Sequence, residues 1–192
     1  MEREIAQVKK HYPTARMIGV ADGAAENRIF LEQHTEDQVL DFYHASEYVG
    51  KVAQAIFSKK SEREPWLGDR LYRLKHKQGA AGRLIKEMEG FEQRVKLSKR
   101  AREDLAVSLT YLRNHKHQMN YTRYRDKGWA IESGVTEAAC KTRVKQRLCA
   151  LGMRWKEKGA AVVLSFRCLI RSPGRWQQFW WKINQYGFPV VG

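Results

Sequence analysis

Long apolar segments are missing from this sequence of 192 residues. Its best apolar run, residues 160–164, is followed directly by Ser165 and soon afterwards by Arg167, whereas a membrane-spanning helix needs about 20 apolar residues. Residues 1–4 also lack the start of the apolar region that a secretory signal peptide requires. We therefore expect a soluble protein that crosses no membrane and remains in the cytoplasm.

Cysteine is scarce as well. Cys140, Cys149 and Cys168 are too few and too scattered to form a disulfide framework or a zinc site. We interpret them as small buried apolar side chains in a reducing compartment. The composition, with 43% hydrophobic and 30% charged residues, is sufficient for a folded core and excludes wholesale disorder.

Acidic residues become rare in the second half of the chain. Residues 1–100 carry 19 basic and 15 acidic side chains, whereas residues 101–192 carry 17 basic and 6 acidic ones. This excess of positive charge favours a polyanionic partner, because each phosphate that the protein neutralises releases condensed counterions. A basic protein without such a partner is the alternative.

Hydrophobic periodicity predicts alternating helices and short strands in the first sixty residues. The predicted order is helix 2–11, strand 15–20, helix 24–33 with Ile29 facing the core, strand 39–43 and helix 44–57. Such an alternation predicts a parallel sheet with crossover helices.

Beyond residue 60 the strand pattern disappears. Residues 61–124 show helical periodicity alone, with apolar positions at Leu74, Leu84, Met88, Leu105, Leu109 and Leu112. Further helices are predicted from Ser133 to about residue 150, over residues 157–170 and over residues 175–183. In the last helix, Trp176, Phe179 and Trp180 form an apolar stripe suited to a core, and Trp181 lies on another side.

Acidic side chains stand at three positions where they could carry chemistry. Asp22 directly follows the first strand, and Asp41 and His44 lie at the end of the second with the spacing D-x-x-H. Strand ends are where α/β sheets place their sites. Glu137 lies one turn into the helix that begins at Ser133, one position too late for a capping box.

An Asp at a strand end and a Glu on a later helix can converge on a divalent metal. Two-metal phosphoryl transfer uses carboxylates in this way, and hard oxygen ligands suit Mg²⁺ or Mn²⁺. Spacing alone leaves simpler interpretations open: Asp22 and Gly23 could form an ordinary turn, and Glu137 could pair with Lys141.

Four stretches of the sequence resemble the bacterial insertion-sequence transposases of the Kra group, relatives of the mutator-like DDE transposases. They are residues 21–24 (ADGA), residues 41–47 (DFYHASE), residues 133–141 (SGVTEAACK), and residues 145–148 (KQRL) with 152–155 (GMRW). Residues 114–121 also fit the approach to the helix of the catalytic Glu. The similarity spans nearly the whole chain.

The resemblance implies an α/β, mostly helical chain that forms the second half of an RNase H-like core. Residues 1–60 would belong to that core, residues 61–127 would form an all-helical insertion, and residues 128–192 would contain the catalytic Glu helix and C-terminal helices. The first catalytic Asp and its strands have no counterpart here. We therefore expect the C-terminal portion of a transposase, inactive alone, which would be a homo-oligomer when complete.

By the same resemblance, Asp22 is the second Asp and Glu137 the Glu of the catalytic triad, both binding Mg²⁺ (or Mn²⁺). Water and then a DNA 3′-hydroxyl would attack the phosphodiester. Asp41 and His44 match the motif C/D-x-x-H, which shapes the site.

Asp22 cannot be the first Asp of the triad with Asp41 as the second. The two are 19 residues apart, whereas the two strands and the helix that must separate them need on the order of 40 residues. After Gly23 the chain departs from the family, which has Trp where residues 24–26 stand.

Two runs of basic residues lie on either side of Glu137 in the sequence, and we expect them to contact the backbone of double-stranded DNA. The DNA would be the transposon ends and the target, and the protein would be associated with the nucleoid. The candidate DNA-binding residues are Arg113, Lys116, Arg123, Arg125, Lys141, Lys145, Arg147, Arg154 and Trp155. Trp155 could stack on a base or pack into the core. His115 and His117 are interpreted as solvated surface. The alternative function is a non-catalytic DNA-binding protein derived from a transposase.

Overall fold

A computed structural model describes residues 2–94, 97–134, 138, 144, 145, 148, 149 and 152–188. The chain divides into two compact units, Met1–Ser133 and Gly134–Gly192. Most of the predicted helix from Ser133 to about residue 150 therefore lies outside the described residues.

The first unit opens with two strands joined through a helix. The elements are α1 (Glu2–His11), β1 (Ile18–Ala21), α2 (Ala25–His34) and β2 (Asp37–Leu40). The strands are parallel, and Ile18 pairs with Asp37 and Ala21 with Leu40. The predicted parallel pair with a crossover helix is confirmed.

The predicted second strand, residues 39–43, is too long at its C-terminal end. The Asp41 side chain accepts hydrogen bonds from the backbone N–H groups of Tyr43 and His44, at 2.7 and 3.3 Å. It therefore caps the next helix, α3 (Phe42–Ile56), and this cap makes Phe42 and Tyr43 helical despite their preference for strands.

The rest of the first unit is helical. It contains α4 (Lys60–His76), α5 (Ala80–Arg94), α6 (Lys99–His115), a 3-10 turn (Lys116–Gln118) and α7 (Tyr121–Asp126). The absence of strands predicted for residues 61–124 is confirmed for the part of that range that the structure describes.

The core of the first unit lies between β2, α3 and the helices that follow. The predicted core residues Leu74, Leu84, Met88, Leu105, Leu109 and Leu112 are buried there with Val39, Leu40, Val49 and Val52. The prediction for Ile29 is wrong, since its side chain is 55% exposed. Helix α2 (Ala25–His34) contributes no buried residue, because the two-stranded sheet offers it little surface to pack against.

The second unit contains a helical hairpin of α8 (Glu157–Ile170) and α9 (Pro173–Tyr186). Helix α9 is longer than predicted because Pro173 occupies its first turn, where proline is favoured. The Trp176 ring contacts Phe166 at 5.9 Å and Trp180 at 5.4 Å between centroids. Trp181 is 58% exposed.

The interpretation of the cysteines as buried is wrong for the two that the structure describes. Cys149 and Cys168 are exposed. Cys168 lies on α8 (Glu157–Ile170), which has no buried residue. Cys140 lies outside the described residues.

Within the described ranges the chain is mostly helical with one pair of parallel strands. None of the helices in these ranges has the length and apolarity to cross a membrane.

Candidate functional site

The two strand ends bring Asp22 and Asp41 side by side. Ala21 and Leu40 are partners in the parallel pair, and the N–H of Asp41 donates to the carbonyl oxygen of Ala21 at 2.8 Å. Because the strands run in the same direction, both aspartates leave the sheet at the same edge.

Asp22 is held in place by the turn into α2. Its Oδ1 accepts hydrogen bonds from the N–H of Ala24 at 3.0 Å and from the side-chain amide of Asn27 at 2.9 Å. These two hydrogen bonds, the backbone one first, hold the pKa of the half-buried Asp22 carboxyl below its usual value against partial desolvation, and His44 adds to the effect. Asp22 is therefore ionised at neutral pH.

Helix α6 contributes directly to the same site. The Tyr111 hydroxyl donates to the carbonyl oxygen of Asp22 at 2.6 Å. The Tyr111 ring stacks on Tyr48 with 3.7 Å between centroids, and its carbonyl oxygen lies 2.8 Å from Nδ1 of His115. The helical segment thus fixes the backbone of the candidate catalytic Asp.

Gly23 allows this close approach. Its φ of +80° is one that side chains disfavour, and a Cβ here would lie 2.6 Å from Nε2 of His115. The interpretation of His115 as solvated surface is therefore wrong: its imidazole packs against Gly23, because α6 passes the end of β1. Nothing local in the sequence marked Tyr111 or His115, since their partners lie about ninety residues earlier.

Asp41 is completely buried and both of its oxygens are engaged. Oδ1 accepts from the N–H groups that begin α3, and Oδ2 accepts from the N–H of Ser133 at 2.6 Å. Burial opposes ionisation of Asp41, but the hydrogen bonds from Ser133, His44 and Tyr43 outweigh it and hold the pKa of Asp41 below its usual value. Asp41 is therefore a buried carboxylate whose oxygens are hydrogen-bonded, and it connects the end of β2, the start of α3 and Ser133.

The segment that Asp41 holds leads to the predicted helix of Glu137. The N–H of Phe42 donates to the carbonyl oxygen of Ile131 at 2.9 Å, and Lys75 Nζ lies 2.6 Å from Glu132 Oε1. Residues 131–133 are thereby anchored at the start of α3. Glu137 itself lies outside the described residues.

His44 lies beside Asp41, in the first turn of α3. Its Nδ1 is 3.6 Å from Oδ1 of Asp41, too far for a hydrogen bond, and this buried atom has no hydrogen-bond partner among the residues that the structure describes. The structure therefore places Asp22 and Asp41 at adjacent strand ends and His44 in the first turn of α3, beside Asp41.

Asp22 and Asp41 differ in their fitness to bind a metal ion. Within the described ranges no three His, Cys, Asp or Glu side chains are grouped to hold one. Asp22 suits Mg²⁺, which is commonly held by one or two carboxylates and several waters, because both of its side-chain hydrogen bonds end on Oδ1. Asp41 is unsuited, since its two oxygens are occupied and its side chain has no access to solvent.

The candidate DNA-binding residues of the first unit differ in their partners. Arg113 forms an ion pair with Glu89 at 2.9 Å, and Arg125 donates to Nδ1 of His76 at 2.6 Å. Lys116 and Arg123 are exposed and form no ion pair with any described residue.

In the second unit, Lys145 and Arg154 are exposed. Trp155 is 44% exposed, and its ring lies over Gly159, with 3.9 Å to the position of an added Cβ. Lys141 and Arg147 lie outside the described residues.

The resemblance found in the sequence has no counterpart in wider comparisons. No protein-family model, curated protein or solved structure matches this chain. Its function is therefore argued from the motifs of the sequence and from the geometry around Asp22.

Proposed function

We propose that this chain takes part in DNA transposition, as the second half of an RNase H-like DDE transposase core that cleaves and joins DNA strands with Mg²⁺ (or Mn²⁺). The observation that carries the proposal is the placement of Asp22 and Asp41 at adjacent carboxyl ends of two parallel strands. α/β sheets build their sites at such an edge.

The surroundings of Asp22 suit a metal ligand. Ala24 and Asn27 hold Oδ1, Tyr111 holds the backbone carbonyl, and the lowered pKa keeps the carboxylate charged. A divalent ion bound there supplies positive charge to the scissile phosphate and to an attacking oxygen. The protein's own part is to orient Asp22 before the ion arrives, so that binding requires no rearrangement.

The proposal assigns Glu137 as the second carboxylate on the strength of the sequence resemblance. Asp41 anchors Ser133, and the motif that contains Glu137 begins at Ser133 in the sequence. In this arrangement Asp41 and His44 act as positioning residues.

Metal binding tests the proposal. Titration of the chain with Mn²⁺, followed by electron paramagnetic resonance, is expected to show binding that Asp22→Asn and Glu137→Gln each weaken about tenfold or more. Asp69→Asn is the matched control, because Asp69 lies on α4 in an ion pair with Arg73. Unchanged Mn²⁺ affinity in Asp22→Asn would overturn the proposal.

A non-catalytic DNA-binding protein derived from a transposase is the second candidate function. It is favoured by the exposed cations Lys116 and Arg123, which have no ion-pair partner in the described part of the chain. It predicts salt-sensitive binding of duplex DNA, and no Mg²⁺-dependent cleavage even when a first catalytic Asp is supplied on a complementing segment. The first candidate predicts cleavage in that experiment.

A further inference from the structure

A basic cleft opens in the first unit where α4 ends and α5 begins, opposite the end of α6. Its volume is about 280 Å³, and it is lined by Lys77, Lys116, Asn120, Tyr121, Met119 and the residues from Gly79 to Gly82. None of these described lining residues is acidic. The cleft therefore presents two ammonium groups without a carboxylate to neutralise them.

Lys77 and Lys116 differ from Lys75 and Arg113, which are held in ion pairs. Lys75 is 2.6 Å from Glu132, and Arg113 is 2.9 Å from Glu89. By contrast, neither Lys77 nor Lys116 pairs with a carboxylate in the ranges that the structure describes, and both side chains are exposed. Their charges are available to an external anion.

A glycine brings Lys116 across the beginning of α5. A Cβ at Gly82 would lie 3.3 Å from Cε of Lys116 and 3.5 Å from its Nζ. A larger residue at position 82 would push the lysine stem away. The missing side chain therefore lets the ammonium group lie directly beside the cleft.

Further positive charge surrounds the end of α4. His76 precedes Lys77 and accepts a hydrogen bond from Arg125 at 2.6 Å. Loss of solvation and then the charges of Arg125, Lys75 and Lys77 hold the pKa of His76 below its usual value. Loss of solvation and the cations at this end of the helix therefore both favour the neutral imidazole.

We propose that this cleft binds a backbone phosphate of double-stranded DNA, with Lys77 and Lys116 on either side of the phosphate. The preference for an anion follows from the charges of the cleft, whereas the choice of DNA rests on the proposed function. Lys77 then joins the DNA-binding residues, although the sequence places it far from the two basic runs around Glu137.

A role limited to the helix ends is the competing explanation. Cations at the C-terminal ends of α4 and α6 interact favourably with the helix dipoles. Such a role predicts a lower melting temperature when the lysines are removed, with no change in DNA affinity.

Salt-dependent DNA binding distinguishes these explanations. The full chain is titrated into a short fluorescent DNA duplex at increasing KCl and without divalent ions, and anisotropy is followed. For Lys77→Ala/Lys116→Ala we expect the slope of log affinity against log salt to decrease by about one per lysine. We also expect affinity near 0.1 M salt to fall roughly tenfold or more.

Lys60→Ala is the matched control. Lys60 is an exposed lysine at the other end of α4, about 25 Å from Lys77 at the rise of an α-helix. Its removal is expected to leave affinity and salt slope unchanged. Lys116→Arg is expected to retain binding, because a phosphate accepts hydrogen bonds from either side chain.

Several outcomes would overturn the cleft as a DNA site. They are an unchanged salt slope in the double variant, a lower melting temperature with unchanged affinity, tighter binding of an RNA duplex of equal length, or no duplex binding by the unmodified chain. Because the assay contains no divalent ion, its result is independent of the Mn²⁺ titration that tests Asp22.

Discussion

At the scale of single residues, Asp22 depends on neighbours that have no acidic or metal-binding chemistry of their own. Asn27 and the N–H of Ala24 hold its carboxylate, and Tyr111 holds its carbonyl oxygen. Gly23 has no side chain, so His115 can approach the same turn. The orientation of one candidate ligand thus depends on contacts from α2 and α6.

Tyr111→Phe tests the hydrogen bond from the Tyr111 hydroxyl to the carbonyl oxygen of Asp22. The substitution removes the hydroxyl but keeps the ring that stacks on Tyr48, so we expect unfolding free energy to decrease by about 0.5–1.5 kcal/mol. Mn²⁺ affinity should also decrease, because the Asp22 backbone is less constrained. Urea unfolding and the Mn²⁺ titration measure the two effects.

Tyr72→Phe is the control, since the Tyr72 side chain is 57% exposed on α4. We expect it to change stability by no more than about 0.5 kcal/mol. Equal losses in the two variants would contradict a specific role for the Tyr111 hydroxyl.

At the scale of elements, Asp41 determines where β2 ends, where α3 begins and where residues 131–133 are attached. One carboxylate serves all three because it is buried at the point where these segments meet. A buried carboxylate that lost these donors would carry an uncompensated charge, and a buried N–H that lost the carboxylate would be unsatisfied.

We expect Asp41→Asn to lower the unfolding free energy at neutral pH by about 2–4 kcal/mol, since the amide cannot accept from every donor that the carboxylate satisfies. The folded protein holds the pKa of Asp41 below its value in the unfolded chain, which is about 4. The stabilisation is therefore complete above that unfolded pKa and is lost as the pH falls through the folded pKa.

The difference in stability between the unmodified chain and Asp41→Asn should accordingly shrink on acidification, and urea unfolding at a series of pH values measures it. Asp126→Asn, at the exposed end of α7, is the control and should change stability by no more than about 0.5 kcal/mol. A constant difference across acidic pH would contradict ionisation of Asp41 as its source.

At the scale of the whole molecule, the buried core that the structure describes lies in the first unit. Its buried apolar residues extend from Val39 to Ile131, and Asp41 with its partner Ser133 lies within the same unit. Helix α8 of the second unit has no buried residue between Glu157 and Ile170. The buried apolar residues that the structure describes thus all lie within residues 1–133.

We expect a truncated chain of residues 1–133 to fold with a cooperative urea transition, whereas residues 134–192 alone should show weak helicity, because short helices without buried faces are marginal in water. Circular dichroism and urea unfolding of both pieces measure this. The full chain serves as the reference, and a non-cooperative transition of residues 1–133 would contradict an independent first unit.

Local features of this protein could be predicted because their causes lie within a few residues of sequence. The helices over residues 61–124, the burial of Leu105 and Leu109, and the parallel pair follow from periodicity. The end of β2 was misplaced because a cap at Asp41 outweighs the strand preference of Phe42 and Tyr43.

The sequence predicted that Asp22 directly follows a strand, and the structure places it directly after β1. The ion pair of Arg113, the contact of His115 and the exposure of Lys77 in a cleft were not evident from the sequence. Each depends on residues that lie far apart in the sequence and meet only in the folded chain, so no local sequence pattern predicts it.

The amino-acid sequence by itself determined the helical character of the described part of the chain, the strand pair with its crossover helix, the excess of positive charge and the position of Asp22 at a strand end. Only the tertiary structure decided that Tyr111 supports Asp22, that Asp41 is a buried anchor for Ser133, and that Lys77 and Lys116 share a cleft. The physical reason is separation: Tyr111 and Asp22 are 89 residues apart, and Ser133 and Asp41 are 92 apart. Helix propensity and alternation act within a few residues, whereas these contacts form only when the packed core brings distant segments together.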